Sequence, residues 1–464
     1  MIELFDTLSG TRREFTPLKP KTVGIYTCGP TVYYPAHIGN LRSYVFADTL
    51  HRLFVTEGFT VKHLINITDV GHLTDDGDDG EDKVEVAARR EKKTAAALSA
   101  EYSELFFKDL TALNIKIAEY SFPKATDHIA EQIALIEKLL AKGLAYQISD
   151  GLYFDTGQYP DYENPVTEKS TKSSRIKRNP EKKNPRDFAL WKFSQPADKR
   201  EQEWPSPFGT GFPGWHIECS AMSMKYLGET FDIHTGGADH IPIHHINERA
   251  QAEAVTGKPL ANYWLHNAFV VTGEAKMAKS AGNFLTLDDI KEKGHHPLAL
   301  RYLYLGAHYR QKINFSLAAL AGAEVALLKL AHFLIENNHT AGGQVNDAYR
   351  QKYQAVLADD LNTPQALPIL WQLIADEQLS VADKCETLLN LDHYLGLGLD
   401  EINTPEPSKE VKELIQKREQ ARENTDWAEA DRLRAEIAKT GLIVKDTPTG
   451  PILLPKSLEM ILPT

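Results

Sequence analysis

With 464 residues, 42% hydrophobic and 25% charged, the chain has material for about three globular domains, and no apolar run approaches the ~18 residues of a membrane span. A formal net charge of −12 argues against nonspecific duplex binding by the whole surface and leaves room for a local basic path. The three cysteines, Cys28, Cys219 and Cys385, are too few and too far apart for a disulfide framework, and Met1–Asp6 lacks the regions of a signal peptide. The expectation is therefore a cytoplasmic chain whose thiols serve a metal or catalysis.

Val23, Ile25 and Val32 are apolar at strand spacing, and Gly29-Pro30 breaks that strand. Asn40 then precedes a segment with Leu41, Tyr44, Val45, Leu50 and Leu53 at helical spacing. A strand that ends at a helix start offers orphan amides and the positive end of a helix dipole to an anion. Cys28 and His37 flank that corner. Thr60–Asp69 reads as a second buried strand, which completes a βαβ unit and starts a parallel sheet. In the acidic run Asp75–Asp82, Gly80 falls one position early for a calcium loop starting at Asp76, so a solvated loop is expected. Lys83–Leu113 predicts a long surface helix or a helical pair, and Phe122–Ala145 another amphipathic helix.

Gly151–Asp155 reads as a short strand that opens a different texture. Lys169–Lys192 holds nine basic residues against Glu181 and Asp187, which leaves a solvated insertion and a path for a polyanion as open alternatives. Trp204–Gly214 is a Pro/Gly-rich loop, and Trp215–Cys219 resumes the core. Phe231–His240 predicts a strand ending in the corner Gly236-Gly237, followed by a helix that carries His244 and Glu248. Asn262–Val271 is a further strand, and Leu298–Leu397 is almost wholly helical in pattern. Asn403–Ser408 is a linker. Beyond it lie helices over Lys409–Arg422 and Trp427–Lys439, the second capped by Asn424–Asp426, and a hairpin around Thr449-Gly450.

Two constellations carry chemistry. His244 and Glu248 lie four apart on one helix face, and with Cys28 and Cys219 they make a tetrahedral donor set suited to zinc. Spacing alone leaves the alternative open: two small buried thiols and a surface His/Glu contact. The second constellation joins His37–Asn40 to Lys276–Ser280. A histidine at a helix N-terminus and two lysines three apart, Lys276 and Lys279, suit a triphosphate, while a structural corner and a solvated lysine face remain the plainer alternatives.

His37-Ile38-Gly39-Asn40 resembles a HIGH signature, Lys276-Met277-Ala278-Lys279-Ser280 resembles KMSKS, and Gly214–Met222 reads GWHIECSAM. With the segment Cys28–Tyr33, CGPTVY, these motifs make the chain similar to the cysteinyl-tRNA synthetases, a class I aminoacyl-tRNA synthetase family, over essentially its full length. The resemblance implies an α/β fold with a Rossmann-like parallel-sheet catalytic domain in two halves, 1–115 and 211–270, separated by a connective insertion at 116–210. It also implies a KMSKS-loop stem-contact region at 271–314, a tRNA-facing helical bundle at 315–402 and an α+β anticodon-binding module at 403–464. The implied reaction is activation of L-cysteine by ATP to cysteinyl-adenylate with release of pyrophosphate, then transfer to the 3′ adenosine of tRNA(Cys). Magnesium would accompany the ATP.

By the same resemblance, Cys28, Cys219, His244 and Glu248 take the positions of the zinc ligands. A zinc ion bound directly by the substrate thiolate rejects serine, whose alkoxide is too basic and too hard a ligand, so no editing domain is needed. Gly29, Thr68 and Trp215 would line the cysteine pocket, Gly237 and Asp239 approach the adenosine, and His37, Gly39, Asn40, Lys276 and Lys279 serve the phosphates. In the tail, Trp427 would staple two helices, with tRNA left to exposed neighbours such as Arg418, Arg422 and Lys445. A monomer with no membrane contact is expected.

Four departures from the family pattern stand out. Ala278 replaces the middle serine of KMSKS, Pro242 is shifted relative to the paired histidines, Phe212 stands where an arginine is common, and the acidic run after Asp69 is long. Two rival readings share the motifs. A cysteine ligase acting on an aminosugar, as in mycothiol synthesis, needs no anticodon reader, so the tail after Ser408 argues against it. An inactive RNA-binding paralogue is opposed by the complete ligand set and the lysine loop.

Overall fold

A computed structural model describes residues 1–73, 80–163, 179–195, 200–272, 275–276, 284–337, 342–403, 406–447 and 450–463. Its centre is a five-stranded parallel sheet of Thr22–Thr27 (β1), Thr60–Ile65 (β2), Tyr120–Ser121 (β3), Phe231–Gly237 (β4) and Ala261–Asn267 (β5), in the order β5-β4-β1-β2-β3. Val23 and Ile25 of β1 and every residue of β4 are buried, as expected for strands covered on both faces. Strands β2 and β3 step away from β1 on one side, and β4 and β5 on the other. The order therefore reverses between β1 and β4, and a crevice opens beyond their carboxyl ends. Thr27 pairs with Thr235, so Cys28 and Gly236-Gly237 leave the sheet side by side.

The helix Ile38–Thr56 (α1) links β1 to β2. One face of the sheet and α1 share a continuous core with the helices that follow it, through Val23, Ile25, Leu50, Phe54, Leu330 and Leu391. Arg301, fully buried, fastens this junction: its guanidinium donates to Leu395 O (2.6 Å), to Leu113 O (2.7 Å) and to Asp48. Burial works to raise the pKa of Asp48, but Arg52 and Arg301 outweigh it and hold the carboxyl well below the usual range.

The insertion builds its own antiparallel sheet from Ala145–Ile148, Gly151–Phe154, Phe188–Phe193 and Gly211–Pro213. Two short strands thus cross the boundaries read from the sequence. Tyr120–Ser121 lies within 116–210 yet pairs with β2, and Gly211–Pro213 lies within 211–270 yet closes the insertion's sheet.

Several local expectations change. Leu317–Glu336 is long and apolar enough to cross a bilayer by length and composition, against the expectation of no such run. In the fold, its Leu320, Leu327, Leu330 and Leu334 are fully buried in the protein core, and Glu324 accepts from the His296 amide. The acidic run is described only from Gly80 onward, and there Asp82 is buried rather than solvated, capping Lys83–Glu91. Of the basic stretch, residues 169–178 lie outside the described residues, while Lys183 and Lys192 are neutralised by Asp155 (2.9 Å) and Asp150 (2.6 Å).

The tail inverts its assignment. Trp427 is 58% exposed, with its ring under the Arg422 guanidinium of the preceding helix (5.7 Å to the centroid), whereas Arg418 is 2% exposed and forms a two-pronged pair with Asp446 at 2.9 Å on each arm. Arg422 also reaches Asp446 (3.0 Å), and Lys445 pairs with Glu336 (2.6 Å).

Candidate active site

Four buried donors converge in the crevice. Cys28 follows β1, its amide donating to Thr235 O of β4 (3.1 Å). Cys219 lies on the helix Trp215–Leu227 (α2), which starts at Gly214, where a Cβ would stand 2.1 Å from Ala189 O. That glycine lets α2 seat directly on the insertion's sheet. His244 lies in a single π-turn, Ile241–His245, that leads into the helix Ile246–Thr256 (α3), and Glu248 sits in the first turn of α3. The shifted Pro242 falls in the π-turn, where its missing amide costs nothing.

The donor atoms of Cys28, Cys219, His244 and Glu248 all lie within 4.8 Å of one another, and none of the four residues is more than 5% exposed. His244 Nε2 is 3.0 Å from Glu248 Oε1, and Cys28 Sγ is 3.6 Å from the same oxygen.

The electrostatics suit a cation. Burial works to raise Glu248, but His234 and His244 outweigh it and hold the carboxyl well below its usual range. Burial works to lower His244, and Glu248 with Cys219 instead lift it to about 10. Burial pushes the Cys28 thiol up, whereas Cys219, against its own burial, is drawn down to about 6 by its hydrogen bond with Cys28 and by His244. Two sulfurs, an imidazole and a carboxylate, converging and shielded from water, fit a borderline-soft divalent metal with tetrahedral preference.

A second layer of imidazoles surrounds this cluster, and the sequence reading did not assign it. His234 Nε2 lies 2.9 Å from Glu248 Oε2, His216 Nδ1 2.9 Å from His244 Nδ1, and His245 Nε2 3.1 Å from Cys28 Sγ. His245 Nδ1 in turn meets His266 Nε2 at 2.7 Å. Such partners orient ligands. Their trace in the sequence is the density of histidine around the assigned ligands. Cys28, His234, His245 and Glu248 form an overlapping group of the same span.

Around the cluster, Gly29 donates to Asn66 Oδ1 (2.8 Å), and a Cβ at Gly29 would lie 1.5 Å from Asn66 O, so the chain there admits glycine alone. Thr68 is buried, with its hydroxyl accepting from Asn66 Nδ2 (3.0 Å). The Trp215 indole lies against His244 at 4.3 Å between centroids. Gly237 meets exposed Asp239 at the end of β4, where a Cβ would stand 2.4 Å from Asp239 Oδ1.

At the other end of the corner, His37 and Asn40 form a capping box on α1. His37 Nδ1 accepts from the Asn40 amide (3.0 Å), and Asn40 Oδ1 accepts from the His37 amide (3.3 Å). His37 also bridges Thr286, and Ile38 N donates to Leu285 O (2.8 Å), which ties this helix start to the residues just after the lysine motif. Lys276 pairs through its backbone with Val271, while Ala278 and Lys279 lie outside the described residues. Buried Arg42, not singled out in the sequence, donates to Ala268 O (2.7 Å), Phe269 O (3.1 Å), His308 O (3.1 Å) and Gln311 O (2.7 Å), bolting α1 to the strand that leads there.

Comparison with known proteins follows the same division. Residues 14–325 match the family described as tRNA synthetases class I (C) catalytic domain, and residues 404–450 match the cysteinyl-tRNA ligase anticodon binding domain. A protein of Burkholderia lata named cysteine–tRNA ligase 1 is 47% identical, the alignment covering 97% of this chain and 96% of that one. The cysteine–tRNA ligase of Zymomonas mobilis is 40% identical, covering 95% of each. Among solved structures, methionyl-tRNA synthetase of Mycobacterium tuberculosis in complex with methionyl-adenylate shares the fold at a TM-score of 0.54 and 16% identity, over 82% of this chain and 90% of that one. The chain belongs to the cysteinyl-tRNA synthetases, enzymes of the class I aminoacyl-tRNA synthetase group.

Proposed function

We propose that the crevice divides its work between the two ends of one corner: a zinc ion held by Cys28, Cys219, His244 and Glu248 selects cysteine, and the start of α1 serves the ATP that activates it. The observation that carries this reading is the convergence of four buried donors within 4.8 Å of one another, beside the capped helix start. When bound, zinc supplies a soft centre that favours a thiolate over a hydroxyl. Trp215, Thr68 and Gly29 wall the amino-acid side, the glycine leaving room for the substrate beside a chain that already abuts Asn66.

The cysteine carboxylate attacks the α-phosphorus of ATP, the bond to the β-phosphate breaks, and pyrophosphate leaves. Because His37 Nδ1 accepts from the Asn40 amide, its proton sits on Nε2, where it donates to a phosphate oxygen. The positive end of the α1 dipole at Gly39 adds to that donor, and Gly237 with Asp239 flanks the adenosine. Lys276 and Lys279, with magnesium on the phosphates, neutralise the charge that builds in the reaction. The 3′ terminal hydroxyl of tRNA(Cys) then attacks the adenylate carbonyl and AMP departs. We assign the chain to the cytoplasm as a monomer, the reducing compartment that keeps the thiols of Cys28 and Cys219 available.

The test is zinc content with cysteine-dependent exchange of labelled pyrophosphate into ATP, followed by charging of tRNA(Cys). No exchange in a zinc-replete sample would overturn the reading. Exchange without charging would redirect it to an aminosugar acceptor, against the anticodon-domain match at 404–450.

A further inference from the structure

Gly71–Leu73 and Asp82-Lys83 meet in a tight neck. Gly71 N donates to Asp82 Oδ2 (2.7 Å), Lys83 N donates to His72 O (2.9 Å), and Leu73 bridges Asp82. Gly71 sits at φ +78°, where a Cβ would come within 2.6 Å of Pro213 O, so the neck tolerates no side chain at that point. Arg200 locks the same carboxylate from outside at 3.1 Å, with its guanidinium lying 3.5 Å over the Phe212 ring.

This neck presents one imidazole in a fixed plane. His72 is 8% exposed, with Nδ1 2.6 Å from Thr31 Oγ1 and Nε2 2.7 Å from Lys83 Nζ. An ammonium has no lone pair, so Nε2 accepts and the ring proton sits on Nδ1, donated to the Thr31 hydroxyl. Two hydrogen bonds in the ring plane stop the imidazole from turning. Its face then lies on the Trp215 indole at 3.9 Å between centroids with 9° between planes, the flattest stack around the site. The same indole contacts His244 at 4.3 Å and 28°. A continuous row of rings therefore joins the loop neck to the donor cluster, and Thr31 ties it to the chain that carries Cys28.

We propose that His72 is a positioning residue for the amino-acid pocket: it holds the Trp215 indole beside His244 and so tunes cysteine binding without touching cysteine. This rests on the reading of Trp215 as a wall of that pocket. A space-filling role asks for bulk alone. A positioning role asks for a flat ring in a set plane, and the paired hydrogen bonds to Thr31 and Lys83 supply that plane.

The test uses the full-length, zinc-loaded chain and cysteine-dependent pyrophosphate exchange. His72→Ala raises the KM for cysteine about five- to tenfold, the worth of one ring stack, while the KM for ATP and the zinc content per chain stay at wild-type values. His72→Phe, which keeps a flat face but neither of the hydrogen bonds that set its plane, recovers part of that loss and less than half of it. Should His72→Ala fail to fold, His72→Leu, similar in bulk but without a π face, carries the same comparison with His72→Phe. An unchanged KM for cysteine in the Ala or Leu variant overturns the proposal, as does a rise in both KM values with zinc loss, the mark of a merely structural residue. Exchange missing from the wild-type chain itself would instead remove the proposed function, and this inference with it.

Discussion

Cys28 and His37 stand on one short stretch between β1 and α1, yet they are built in opposite ways. Cys28 is 5% exposed and belongs to a cluster whose other members come from α2, the π-turn and α3. His234 lies against Glu248 and His216 against His244, so the orientation of these donors is fixed by tertiary packing. His37 is half-buried and Asn40 exposed; their capping box is local to residues 37–40, and the helix start is further tied to Phe284, Leu285 and Thr286. Under the proposed function, the contrast separates two tasks. Selecting a thiol needs a dry, preorganised donor set, because a loose cluster admits other ligands. Steadying phosphates needs helix-end amides at the rim, where a large anion can reach them.

The largest effect breaks the buried side. Cys219→Ser replaces a thiolate donor with a hydroxyl and should lower zinc to a small fraction of an ion per chain, with cysteine-dependent exchange down by at least about a thousandfold. Metal analysis beside the exchange assay checks it, and normal activation by a zinc-free variant would refute selection through the metal. His37→Ala strikes the exposed side. Here the zinc content should hold while kcat for exchange falls about a hundredfold, the usual loss for one transition-state donor. The same change removes a helix cap worth about 1 kcal/mol, so a small drop in melting temperature accompanies it. Loss of zinc in His37→Ala would show that the two ends of the corner are not separable.

How far the sequence carried depended on the range of the interaction. The β1-α1-β2 unit and the β4 corner were legible because their signals, period-2 and period-3.6 apolar spacing around glycines, lie within a few residues. The four donors were legible through motifs that spacing alone did not close. What escaped was decided by partners far along the chain. Arg418 is buried because the hairpin brings Asp446 to it, and Trp427 is 58% exposed with only the Arg422 guanidinium described over its ring. Asp82 ends an acidic run yet is buried, since Gly71 and Arg200 claim its oxygens. Similarly, the apolar length of Leu317–Glu336 speaks of its place in a shared core, which local composition does not distinguish from a bilayer.

The smallest effect sharpens the comparison from below the exposed side, through the frame that holds His37. Thr286, which bridges His37, caps the helix Leu287–Glu292, and Asp288 on that helix faces Asp109 of the helix Ala95–Ala112. Burial first, and then the charge of Asp288, raise Asp109 to about 7, with Lys291 acting weakly the other way. Tyr304, the remaining titratable neighbour, stays neutral: burial pushes its hydroxyl well up, and that hydroxyl donates to Ile38 O. The folded chain therefore keeps a proton on Asp109 that the unfolded chain gives up near pH 4. Since the folded state binds more protons across that window, stability falls as pH rises from about 4 to about 7 and stays low above it. Asp109→Asn, which mimics the protonated acid at every pH, should match the wild type near pH 4 and exceed it by about 1–2 kcal/mol at pH 8, after allowance for partial exposure. Thermal unfolding of the pair at several pH values measures the gap, and a gap that does not grow with pH would sink the assignment. Zinc content should be the same in both chains throughout, because the titrating carboxyl sits under the rim of the corner and outside the buried cluster.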